Sequence, residues 1–74
     1  MIAEYTDVRI VSIAGEAAER LISSSHSPPR LPQVGDTATV VDVRGNGEYI
    51  LEAVQGDGRA RWVAWFYERE LEEA

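Results

Sequence analysis

The chain contains no cysteine and no lysine, and only one histidine, one methionine and three prolines in 74 residues. Without thiols there is no disulfide framework, no cysteine-ligated structural metal and no thiolate nucleophile. Without lysine there is no Schiff-base chemistry. No apolar run approaches the ~20 residues that a membrane-spanning helix requires. The opening segment, MIAEYTDVRI, lacks a basic stretch followed by an apolar one, so a secretory leader is not expected and the cytoplasm is the expected location. Positive charge is scarce too: seven arginines face thirteen carboxylates, for a net charge of −6. Nucleic-acid binding rests on a basic surface that displaces counterions. Here Arg9, Arg20, Arg30, Arg44, Arg59, Arg61 and Arg69 are scattered, which disfavours such a partner.

At this length the chain is one domain, near the lower limit for burying a self-sufficient core. That core has to come from the second half. VGDTATVVDV, EYILEAV and RARWVAWFY are β-branched and aromatic runs separated only by RGNG and QGDG. Glycine turns between such runs predict two consecutive hairpins, hence a three-stranded antiparallel meander. Val8 to Ile13 reads as a preceding strand. Glu16 to Ser23 has weak helical character, and SSSHSPPRLPQ carries all the prolines, so residues 15–33 are expected to form one long loop. Glu68 to Ala74 reads as a short helical turn with a frayed acidic end.

Alternation along the strands assigns faces. A turn of two or four residues around Asp57-Gly58 pairs odd positions of the middle strand with even positions of the last. Tyr49 and Leu51 then share the inner face with Trp62 and Phe66, and Glu52 lies near Arg61 outside. For the earlier hairpin, a three-residue loop Gly45-Asn46-Gly47 with positive φ at Gly47 keeps Asp42 in solvent. It also turns Val41 and Val43 inward. The expected core is Val8, Ile10, Val41, Val43, Tyr49, Leu51, Trp62, Phe66 and Leu71.

The order of elements, a strand, a long loop, two hairpins and a terminal turn, resembles a small SH3-like barrel. The segment Val34 to Val43 (VGDTATVVDV) is similar to the GD-x-G-x-V-V stretch of an uncharacterised bacterial family of such barrels. Glu48-Tyr49-Ile50-Leu51-Glu52 resembles that family's Y-x-V-E strand. Asp57-Gly58-Arg59, Trp62, Phe66 and Glu70-Leu71 resemble its D-G-R…W…F…E-L ending. The match covers about half the chain and departs at Ala38, where relatives carry glycine, and in the length of the 15–33 loop. The resemblance implies an all-β SH3-like barrel and no established activity. A more distant similarity is to ribosome- and transcription-associated KOW-type barrels, against which the acidic charge argues.

Chemistry-bearing constellations are few. His26 among serines lacks the rigid geometry and orienting acid of a nucleophile–base pair. One histidine and dispersed carboxylates make no ligand set, and the pair Asp42 and Glu52 on the outer face reads as solvated. The GNG and GDG stretches join strands and open no helix, so they read as turns, not phosphate cradles. No catalytic residue, cofactor or metal is expected. The informative feature is the outer face of the last hairpin. With Trp62 and Phe66 inward, Val63, Trp65 and Tyr67 point out beside Ile50 and Val54, and apolar patches of this kind are seldom left bare. Either the 15–33 segment (with Leu21, Ile22 and Leu31) folds over it, or a second copy or another protein does. The expectation is a non-catalytic interaction or accessory module, homodimeric in one version, with two alternatives. One is a nucleic-acid- or ribosome-associated barrel using Arg59 and Arg61. The other is a small regulatory or toxin-neutralising partner of an enzyme.

Overall fold

In the computed structural model, residues 2–24, 30–54 and 60–74 are described. The strands are β1 (Asp7–Ile10), β2 (Leu21–Ser24), β3 (Thr37–Val43), β4 (Glu48–Val54), β5 (Ala60–Tyr67) and β6 (Leu71–Glu73). A helical turn, α1 (Ala17–Arg20), precedes β2, and a 3₁₀ turn (Glu68–Glu70) precedes β6. The strands form one six-stranded sheet in the order β2-β5-β4-β3-β1-β6, with every ladder antiparallel. No helical layer covers it among the described residues, so the sheet encloses its core by curling around its own inner face. No ladder among the described residues joins β2 to β6, and the sheet is not closed.

The central ribbon follows the alternation. Tyr49 opposes Phe66, Leu51 opposes Ala64 and Ala53 opposes Trp62. All six are buried, with Leu51, Trp62, Ala64 and Phe66 wholly out of contact with water. The Gly45-Asn46-Gly47 loop forms as the residue types require. Gly47 has φ +85°, and the Arg44 N–H donates to the Glu48 carbonyl at 2.8 Å. Val8, Ile10 and Leu71 join the core.

Four expectations need correction. Val41 is not inward: the register passes from Val40↔Leu51 to Asp42↔Ile50, which makes Val41 the extra residue of a β-bulge. Ala38 and Val40 take its place inside. Val43 does oppose Tyr49, but it lies at the end of the ladder and is 38% exposed. Second, residues 15–33 are not one loop, because α1 and β2 lie within them and β2 pairs with β5. Third, the acidic end is not frayed: β6 pairs with β1, and Arg9 and Glu72 form an ion pair across that ladder. Finally, the first strand ends at Ile10, three residues early. His26, the Pro28-Pro29 pair, Arg59 and the Asp57-Gly58 turn lie outside the described residues.

Two local features position the N-terminal side. Tyr5 adopts a left-handed φ of +68°, rare for a non-glycine residue. Its N–H donates to the Val40 carbonyl, and Val40 N–H donates to Thr6 at 3.0 Å, so the chain is clamped at the bulge. Tyr49 buries its ring and satisfies its hydroxyl, which accepts from the Ile2 N–H at 3.1 Å and donates to Glu68 Oε1 at 3.0 Å. The indole N–H of Trp62, by contrast, is buried without a partner among the described residues.

Candidate interaction face

Alternation puts Val63, Trp65 and Tyr67 on the opposite side of β5 from Trp62, Ala64 and Phe66. All three outer residues are half-buried, and the three inner ones are fully buried. The ladder places Ile50 opposite Trp65, Glu52 opposite Val63 and Glu48 opposite Tyr67. Trp65 and Tyr67 meet edge to face, ring centroids 5.3 Å apart, a favourable arrangement for two quadrupoles. Ile50 is buried although it belongs to the outer side, whereas Val54 is 46% exposed. The five residues singled out from the sequence therefore lie on one face and differ in their access to water. Glu52 stands directly opposite Val63, with Arg61 diagonal to it.

The rings are held from the side by a group that strand patterning does not reveal. β2 begins at Leu21, opposite Ala64, so beyond that point β5 has no strand beside it on this edge. Arg20 occupies the vacated place. Its guanidinium lies 4.3 Å from the Trp65 ring centroid, 5.2 Å from that of Tyr67 and 5.6 Å from that of Phe66. It also donates to the Trp65 carbonyl, a backbone acceptor that strand pairing would otherwise satisfy. From the solvent side, the Arg69 guanidinium lies 4.6 Å from the Tyr67 ring.

Arg20 is only 3% exposed and Glu70 only 1%, so each charge needs a full set of partners. Both make several hydrogen bonds. Arg20 Nη1 donates to Glu70 Oε1 at 2.6 Å and Nη2 to Oε2 at 3.0 Å, the parallel fork that arginine makes with a carboxylate. Nη2 also donates to the Ala14 carbonyl at 2.6 Å. Glu70 accepts in addition from the Ala14 N–H at 2.6 Å and the Tyr67 N–H at 2.9 Å. Burial pushes the Glu70 carboxyl up, but the hydrogen bonds from Arg20, Ala14 and Tyr67 outweigh it and hold the pKa below the ordinary glutamate value. One ion pair thus ties the segment before α1 to the end of β5 and the 3₁₀ turn. It fixes Trp65 and Tyr67 in place without touching solvent.

Asp42 and Glu52 do not converge. The bulge separates them: Asp42 opposes Ile50 and accepts from the Val43 N–H at 3.0 Å, while Glu52 opposes Thr39. No group of three or more His, Asp or Glu side chains among the described residues could hold a metal ion. Nor is any described helix long and apolar enough to cross a membrane. No protein-family model, curated protein or solved structure matches the chain.

Proposed function

We propose that the chain is a non-catalytic protein-interaction or accessory module, a small SH3-like barrel that engages a protein partner or a second copy through the outer side of β5. The observation that carries this reading is the state of Trp65 and Tyr67. Two large rings stay partly exposed on a face flanked by a buried, multiply hydrogen-bonded ion pair. Aromatic side chains held rigid before contact lose little entropy on binding, which is why they serve as anchors. Val63 beside them and the exposed Val54 extend the apolar surface across β5 and β4. The SH3-like part of the reading is supported by a six-stranded antiparallel sheet with one buried core that includes Tyr49, Trp62 and Phe66.

Sedimentation of the wild type and Trp65→Ser across a wide concentration range tests the self-association version. Association in the wild type that Trp65→Ser abolishes, with folding intact, supports it. Identical monomers at every concentration remove it and leave a separate protein as the partner. In that case hydrogen exchange on a complex purified from the native host has to show protection at residues 63–67. Protection confined to other strands would refute the assignment of this face.

A further inference from the structure

β2 and β6 are the two edges of the sheet, and each begins directly after one member of the buried ion pair. Leu21 follows Arg20, and Leu71 follows Glu70. Where no ladder joins these edges among the described residues, the Arg20–Glu70 fork spans the gap. Residues 11–20 run from the end of β1 to the start of β2 beside this seam. The Val11 and Ser12 N–H groups donate to the Glu70 carbonyl at 2.8 and 3.4 Å. The Ala14 N–H donates to the Glu70 carboxylate, and the Ala14 carbonyl accepts from Arg20. A single residue therefore anchors this crossing through three of its backbone donors. Arg20 is the only fully buried residue of the stretch, Ile13 and Ala17 are half-buried, and the others are exposed. A segment that buries so little apolar surface belongs to the low-stability end of a fold.

The Glu70 carboxylate leaves no room for a proton. Oε1 accepts from Arg20 Nη1 at 2.6 Å and from the Tyr67 N–H at 2.9 Å. Oε2 accepts from Arg20 Nη2 at 3.0 Å and from the Ala14 N–H at 2.6 Å. A proton on either oxygen sets a donor against two donors and removes the charge that balances a buried guanidinium. We propose that residues 11–20 are a strap latched by Glu70, and that protonation of Glu70 releases the strap as one unit while the β3–β5 meander stays folded. The meander keeps its own core, because Val40, Tyr49, Leu51, Trp62 and Phe66 belong to one buried cluster. Arg20 is the charged side chain that faces Glu70. On the strap, Glu16 and Glu19 are exposed, and around the 3₁₀ turn Glu68 bonds to Tyr49, Arg69 lies over the Tyr67 ring and Glu72 pairs with Arg9. Burial raises the Glu70 carboxyl, but its hydrogen bonds prevail and keep it below the ordinary glutamate range, so the strap is shut at neutral pH and opens on strong acidification. Release also takes Arg20 from the flank of Trp65. The device stands whatever occupies the outer face.

The test is amide hydrogen exchange, followed by NMR on the full chain from neutral to strongly acid pH and corrected for the intrinsic effect of pH on exchange. It is repeated at neutral pH for Glu70→Gln, whose amide nitrogen meets the same pair of donors, and for Glu19→Gln as a control for net charge. In the wild type, Val11 and Ala14 should lose protection at a higher pH than the paired amides of β4 and β5. Glu70→Gln should speed exchange at Val11 and Ala14 by about tenfold or more and leave the paired amides of β4 and β5 within about twofold, the signature of local opening. Trypsin gives a second reading at neutral pH: cleavage after Arg20, which is shielded in the wild type, should quicken in Glu70→Gln. Simultaneous loss of protection in strap and meander as the pH falls would overturn the proposal. That comparison uses the wild type alone, so it decides the matter if Glu70→Gln does not fold. Unchanged strap exchange in a folded Glu70→Gln would also overturn it, as would an equal acceleration by Glu19→Gln.

Discussion

Trp62 and Trp65 stand three residues apart on β5 and face opposite environments. Trp62 is wholly buried, tilted against Phe66 at a centroid distance of 6.2 Å, with no partner for its N–H among the described residues. Trp65 lies outside, edge to face with Tyr67 and covered on one side by Arg20. Trp62 belongs to the buried apolar cluster with Leu51, Ala53 and Phe66, so that ring contributes to folding. Trp65 is flanked by the Arg20 guanidinium, the Tyr67 ring and Ile50, which hold it on the outer face. The lesson of the pair is that one strand can divide its aromatic residues between holding the fold and presenting a surface.

The division is broken most severely by removing the inner ring. Trp62→Ala is expected to destabilise the chain by about 3–5 kcal/mol, enough to unfold a domain of this size, whereas Trp65→Ser should cost about 1 kcal/mol. Urea unfolding of the two variants measures the contrast. Arg20→Ala is expected to come close to the first value, about 3–5 kcal/mol, because it strands the Glu70 carboxylate in a buried site. Arg20→Met combined with Glu70→Gln should recover part of that loss. If the single variant is near neutral, the ion pair does not hold the outer face.

Trp62→Phe should cost less than its lost volume suggests, on the order of 1 kcal/mol, since the smaller ring also removes a donor that has no partner among the described residues. A larger loss would mean that the indole N–H has a partner. The Glu70 carboxyl titrates below its unfolded value, so its contribution to stability is complete above the ordinary glutamate range near pH ~4.3 and fades as pH falls through the lower folded value. Denaturation midpoints measured from neutral to acid pH should decline across that interval, and Glu70→Gln should flatten the decline. The smallest contrast lies on β3. Val40→Thr is expected to cost about 1–2 kcal/mol by burying a hydroxyl, and Val43→Thr should stay within about 0.5 kcal/mol.

The meander and the faces of β4 and β5 were legible because they depend on local chemistry. The Gly45-Asn46-Gly47 turn sets the register of the first hairpin and alternation sorts the faces of β4 and β5, so Tyr49, Leu51, Trp62 and Phe66 could be placed inside, although the β4–β5 ladder shifts register between Ala53 and Val54. β3 misled at Val41 and Val43, neither of which joins the core. VVDV is uniformly β-branched apart from the aspartate, and nothing in it marks Val41 as a bulge. β2 was hidden because LISS follows a helix-forming stretch and runs into serines and prolines, and its strand character comes from pairing with β5. β6 was hidden similarly, since LEEA has the composition of a helix. The Arg20–Glu70 pair could not be read at all. Its partners lie fifty residues apart, and each looks in sequence like an ordinary surface charge. The outer residues were correctly grouped, but their burial was not foreseen: Ile50 is covered, and Trp65 shares its surface with a guanidinium.

The proposed contact surface depends on which indole meets the solvent. Acrylamide quenching of two single-tryptophan variants, Trp65→Phe retaining only Trp62 and Trp62→Phe retaining only Trp65, addresses that directly. Position 62 should emit to the blue and resist the quencher, while position 65 should be quenched severalfold more readily. Equal accessibility, or a protected ring at 65 and an open one at 62, would contradict the division of the strand on which the proposed contact surface depends.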